Sequence, residues 1–125
     1  MFGLFVCGQA FAAVLGRSDA DLKKDATHII TGEVIGIASE VEGKRGHQDR
    51  IYSIKVRVTK VDKGAGVKKG DEINLAAWTI VSRPAGFAGL QGFDTIPEEG
   101  DTITAFCTLE GLKYKPFHPN GIKKH

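Results

Sequence analysis

The apolar positions of this chain change period near residue 28. Before it, residues 18–27 (SDADLKKDAT) set Leu22 and Ala26 at i, i+4 spacing, a narrow apolar edge along one turn of helix. Ser18 or Asp19 offers a side-chain oxygen to an orphan N–H at the helix start. Asp19 and Asp21 suit the positive end of the helix dipole. A helix this short is not stable alone and has to pack on a sheet.

From residue 28 onward the period is two. Residues 28–41 carry apolar side chains on both parities, with Gly32 and Gly36 interrupting them. Interior strand glycines mark a bulge, a bend or a close backbone approach, so the first strand is long and bent. Residues 42–50 (EGKRGHQDR) read as a polar hairpin loop. Residues 51–61 (IYSIKVRVTKV) give the cleanest strand, with Tyr52, Ile54, Val56 and Val58 on one face and Ser53, Lys55, Arg57 and Thr59 on the other. The odd step from Val58 to Val61 predicts a bulge near Thr59 and Lys60.

A Gly- and Lys-rich connection (62–71) leads to a third strand at 72–81, with Ile73, Leu75, Ala77 and Val81 on one side and Trp78 and Ile80 on the other. Residues 102–109 form a fourth strand, on which Cys107 shares the apolar face with Ile103 and Leu109. A turn at Glu110 and Gly111 opens a short fifth strand, 112–117, whose Pro116 confines its end to an edge. Gly70-Asp71-Glu72-Ile73 and Gly100-Asp101-Thr102-Ile103 echo each other as shared turn chemistry rather than a duplicated domain.

Composition narrows the class without naming a task. The chain has 125 residues, 42% hydrophobic and 26% charged, which fits one globular domain. A net charge of +2 is too balanced to imply nucleic acid or an anionic membrane by itself. No apolar run reaches the roughly 20 residues of a membrane helix. Cys7 and Cys107 are the only cysteines, too few for a disulfide framework, and no disulfide is expected.

Residues 1–13 (MFGLFVCGQAFAA) are uncharged and end in an A-x-A pattern of the kind that precedes a signal-peptidase cut. One reading is a signal-peptide remnant, with a single domain over 18–125, secreted or periplasmic. The other is an apolar segment docked on the core of a cytoplasmic protein.

Five strands with a bent, glycine-containing first strand suggest an OB-type Greek-key barrel. The order of residues 26–34 (ATHIITGEV), 52–61 leading into Asp62-Lys63-Gly64, then Gly70-Asp71-Glu72-Ile73, then 97–106 (PEEGDTITAF) resembles the netrin-like barrel of tissue inhibitors of metalloproteinases. That resemblance implies a mostly β fold: a five-stranded antiparallel Greek-key OB-type barrel with one short N-terminal helix. It does not extend to inhibition. The family's zinc-chelating N-terminal Cys has no counterpart at a mature start near Ala13, and its disulfides are missing.

No catalytic constellation emerges. His28, His47, His118 and His125 have no zinc-ligand spacing and read as solvated or edge histidines, so neither a metal nor a cofactor is expected. Cys107 reads as a buried small hydrophobe rather than a thiolate. Glu98, Glu99 and Asp101 flank Gly100 as solvated turn charge.

Two surfaces remain. Residues 82–99 exceed the ~12–15 residues usual for a structureless loop. They are either a lid on one barrel end or a partner surface built from Arg83, Phe87 and Phe93. Lys55 and Arg57 make a cationic stripe without interleaved aromatics, Trp78 being the only platform nearby, so single-stranded nucleic acid ranks second. The tail, 112–125, has four Lys, two His and no acid, and reads as solvated. The sequence thus points to a non-catalytic extracytoplasmic binding or accessory domain with an unknown protein or small-molecule partner. The alternative is a single-stranded nucleic-acid-binding OB-fold protein.

Overall fold

A computed structural model describes residues 16–87, 89 and 91–125. The signal-peptide reading of 1–13 lies outside them, as does Cys7. Among the described residues the fold is mostly β with one short helix: α1 (Asp19–Asp25), β1 (His28–Lys44), β2 (His47–Lys63), β3 (Glu72–Ser82), β4 (Thr102–Glu110), β5 (Lys113–Pro116) and β6 (Ile122–Lys124). The first five strands pair in the order β1-β2-β3-β5-β4, and β4 returns to pair with β1, so they close into a ring. β6 adds to β4 outside that circuit.

The helix forms as its caps dictate. The Ser18 hydroxyl accepts from the Asp21 N–H at 3.1 Å. Leu22 and Ala26 are buried against Ile29, Phe106 and Phe117 on the outside of the ring. The ring interior is filled by the alternate residues Ile54, Val56 and Val58 of β2, Ile73, Leu75 and Ala77 of β3, and Ile103, Ala105 and Cys107 of β4.

β1 bends where its glycines lie. Its register with β2 slips between Thr31 and Gly32, leaving Thr59 unpaired, and again between Val34 and Gly36. These are the bulges that carry a strand around a tight ring. At Gly32 a Cβ would meet the Arg57 carbonyl and lie 2.5 Å from a Val56 methyl, so the approach of the two backbones admits only glycine.

The Gly-Asp echo is the same device used twice. In one copy Asp71 accepts from the Lys68 N–H at 3.0 Å and Gly70 donates to the Val58 carbonyl at 2.8 Å. In the other Asp101 accepts from the Glu98 N–H at 2.7 Å and Gly100 donates to the Val34 carbonyl at 2.8 Å. Each turn opens a strand and ties it to the strand beside it.

Three expectations need correction. Residues 42–50 are not a loop, because both strands run on to a two-residue turn at Arg45 and Gly46. The strands are not all antiparallel, since β3 and β5 pair in parallel at Leu75 and Tyr114. The end of the tail is not solvated: Pro119, Gly121 and Ile122 are buried, and β6 forms there. Gly121 makes this return possible, because a Cβ would lie 2.6 Å from the Phe117 carbonyl oxygen and 2.9 Å from that of Phe106.

Candidate functional site

Alternation fixes what each face of the sheet presents. With Ile54, Leu75 and Ala77 turned inward, their neighbours in sequence turn outward. The registers then align outward side chains across β1, β2 and β3 in rows: Glu33, Arg57 and Glu72; Gly36, Lys55 and Asn74; Ala38, Ser53 and Ala76; Glu40, Ile51 and Trp78; Glu42, Asp49 and Ile80.

One row consists only of small side chains. Ala38, Ser53 and Ala76 leave a trough between larger neighbours, which opens as a groove of about 300 Å3. Asn74 and Lys113 stand along it, and Glu40 and Glu42 border it from β1. Lys113 arrives from the β4–β5 turn because Tyr114 pairs with Leu75. No local feature of the chain marks this groove. Three small residues on three strands become neighbours only through register.

The residues singled out in the sequence fall in different places. Arg83 is a structural clamp: its guanidinium donates to the Asp49 carboxylate, to the Gln48 carbonyl at 3.0 Å and to the Ser82 carbonyl at 2.8 Å. Its side chain is only 10% exposed. It thereby ties the end of β3 to β2 beside the turn of the β1–β2 hairpin. Phe87 lies over that guanidinium, 5.2 Å from ring centre to Cζ, with the His47 ring edge-on at 6.2 Å. Its exposure is 39%.

Phe93 belongs to another cluster. Its N–H donates to the Trp78 carbonyl at 2.9 Å, and its ring packs against the core and edge-on to His118. The 82–99 segment therefore does not gather its candidates into one patch. Arg83 and Phe87 hold the hairpin, whereas Phe93, Ile96 and the buried Pro97 cover the core.

Lys55 is exposed on the outer face, beside the groove row. Arg57 sits between Glu33 and Glu72 at 3.8 and 4.0 Å, so its charge is already met from both flanks. Trp78 shares the outer face with them, but His118 stacks on its ring at 5.1 Å with the planes 8° apart. That platform is occupied by the protein itself.

Two histidines depart from the solvated or edge reading. His28 is buried; its Nε2 donates to the Ala65 carbonyl at 3.0 Å, and its Nδ1 is hydrogen-bonded with the Thr27 hydroxyl at 2.9 Å. Gly64, at φ +116°, leaves room for the ring, since a Cβ there would lie 2.7 Å from its Cγ. His118 is half-buried by its stack. Cys107 is fully buried, and burial pushes its thiol up to about 12. Among the described residues no group of three or more His, Cys, Asp or Glu is placed to hold a metal ion, and no helix is long and apolar enough to cross a membrane. No family model, no curated protein and no solved structure matches the chain.

Proposed function

We propose that this protein is a non-catalytic binding module, built on an OB-type Greek-key barrel and exported from the cytoplasm, that takes a protein or small-molecule ligand in the outer-face groove of β1, β2 and β3. The observation that carries the reading is the trough of Ala38, Ser53 and Ala76, set on rigid paired strands and left open. The ring order supports the OB-type assignment, and OB folds bind ligands on the face of their second and third strands and at the turns after the first and fourth. That inference is by analogy of fold. The netrin-like resemblance implies the same architecture, and the A-x-A pattern at residues 10–12 motivates export.

Single-stranded nucleic acid remains the second reading because Lys55 and Lys113 flank the groove. Three features weigh against it. The Trp78 ring is covered by His118, Arg57 is flanked by two carboxylates, and Glu40 and Glu42 repel phosphate at the other border. An oligonucleotide needs free aromatic platforms interleaved with cations.

Amide shifts of the labelled protein, titrated with a fragment library and separately with an oligothymidylate, test the proposal. Fragment shifts should centre on Ser53, Asn74, Ala76 and Lys113, and Ser53→Trp should abolish them at unchanged Tm. Tight oligonucleotide binding at physiological salt would reverse the order of the two readings, since nonspecific phosphate binding falls steeply with salt. N-terminal sequencing of the cell-derived protein tests export. A start near Ala13 supports it, and retention of Met1 rejects it.

A further inference from the structure

β1 keeps a partner on both edges only over its first part. β4 pairs with it from His28 to Glu33, and the Gly100 and Asp101 turn bonds Val34 at 2.8 Å. β2 continues along the other edge to Lys44. From residue 36 to 44, then, one edge of β1 has no strand beside it among the described residues, and residues 38–44 are all exposed.

Hairpin geometry tells which groups face outward along that edge. The two-residue turn makes Lys44 and His47 a hydrogen-bonded pair, so Glu42, Glu40 and Ala38 also bond to β2 by alternation. Ile37, Ser39, Val41 and Gly43 then turn their N–H and C=O groups to the open side. These four residues form an unpaired ladder, the template on which another strand can add.

The side chains on that ladder specify the chemistry of the added strand. Glu40 and Glu42 project on one face, and neither has a counter-ion within 4.0 Å among the described residues, whereas Arg57 two rows beyond the trough has two. In an antiparallel addition Glu40 and Glu42 occupy non-hydrogen-bonded positions, where facing side chains come closest. On the other face Val41 is 43% exposed. We infer that the free edge of β1 at residues 36–44 binds an extended segment of a partner protein that alternates basic with β-branched residues, its cations opposite Glu40 and Glu42.

A second copy of this chain fits less well. Two-fold antiparallel pairing centred on Glu40, Val41 or Glu42 brings a carboxylate against a carboxylate. The inference deepens the binding reading above and rests on it; it uses the backbone edge of β1, whose Glu40 and Glu42 also border the groove.

A short peptide alternating Lys and Val, with a Glu and Val peptide as control, is the probe. Hydrogen exchange of the full chain should slow at Ile37, Ser39, Val41 and Gly43 with the first peptide and not with the second. Exchanging both carboxylates (E40K with E42K) should weaken the Lys peptide by about tenfold, two cross-strand pairs passing from attraction to repulsion, and should admit the Glu peptide. Val41→Pro removes an outward N–H without touching the β2 ladder and should abolish protection at Ile37, Ser39 and Gly43. Protection by both peptides alike, protection elsewhere, or none at all would overturn the inference. So would protection of the same amides that rises with protein concentration in the absence of peptide, which marks a second copy. Fragment shifts at Ser53 and Ala76 in the Val41→Pro protein show whether the groove reading stands or falls on its own.

Discussion

Val34 and Val41 are the same residue type on one strand, yet Val34 is 1% exposed and Val41 43%. The first lies where β1 is flanked on both edges and the ring closes over it. The second lies where the β1–β2 ribbon runs on beyond β4, with β3 beside β2 as far as Gln48 and no strand on the other edge of β1 among the described residues. Burial here follows pairing. A β-branched residue enters the core only where neighbouring strands complete a second wall. The ring end accordingly holds the stability, and the projecting end holds the unfilled trough and the unpaired edge. Sites are disproportionately placed in this way, on segments held out by a rigid scaffold.

The largest effects should come from the ring interior. Ile54 is fully buried, and Ile54→Ala should cost about 2–5 kcal/mol, read by denaturant unfolding. Val41→Ala should change stability by less than about 0.5 kcal/mol. Comparable losses at both positions would erase the contrast. Cys107 probes the same interior by pH. Its thiol rises from an ordinary 9.0 to about 12 through burial, so above pH 9 the unfolded chain releases a proton that the folded chain keeps. Stability should then fall as pH rises from about 9 to about 12. In Cys107→Ala that part of the fall should vanish. Folded-state labelling of Cys107 by a bulky reagent should be slow, and a cysteine introduced by Val41→Cys should react at once.

The long segment after β3 divides along the same line. Phe93→Ala should cost roughly 2–3 kcal/mol, because a half-buried ring loses part of the 3–5 kcal/mol of a fully buried one. Phe87→Ala should cost less than about 1 kcal/mol, since its ring rests on Arg83 and His47 at the surface. Equal and large losses would make the whole segment a lid.

How much of this was legible depended on distance along the chain. The Ser18 cap, the unpaired Thr59 and the two Gly-Asp turns involve residues a few positions apart, and their chemistry is written locally. The ribbon was not legible. Residues 42–50 contain no apolar side chain beyond glycine, so they carry no hydrophobic period, and a polar strand reads as a loop. The β3–β5 pair and β6 join residues far apart, and only the closed ring decides them. The trough was hidden for the same reason. Arg83 and Phe93 looked like neighbours by spacing, and the fold sends them to different clusters.

Glycines give the next contrast. Gly32→Ala forces a Cβ onto the Arg57 carbonyl and to 2.5 Å from Val56, and overpacking of this kind should cost about 1–3 kcal/mol. Gly36→Ala meets nothing nearer than the Lys55 Cβ at 4.0 Å and should stay within about 0.5 kcal/mol. Thermal melts of the pair locate the boundary between ring and ribbon to within a few residues of β1.

The smallest effects separate the charges of the two regions. In the ring row Arg57 stands between Glu33 and Glu72, with all three side chains about half exposed. Solvent screens such pairs, so Glu33→Gln should cost only a few tenths of a kcal/mol at low ionic strength, and the loss should fade as salt shortens the Debye length. In the ribbon Glu40 and Glu42 lie on one face of one strand, with no counter-ion within 4.0 Å among the described residues. Their mutual repulsion is a small cost to the folded state. Glu40→Gln should therefore leave stability unchanged or raise it by a few tenths of a kcal/mol. The two substitutions remove the same charge from the same strand, so their opposite signs in low-salt melts isolate what the partners contribute. If Glu40→Gln destabilises instead, a cation already answers Glu40 within the free protein, and the ribbon edge is guarded rather than open.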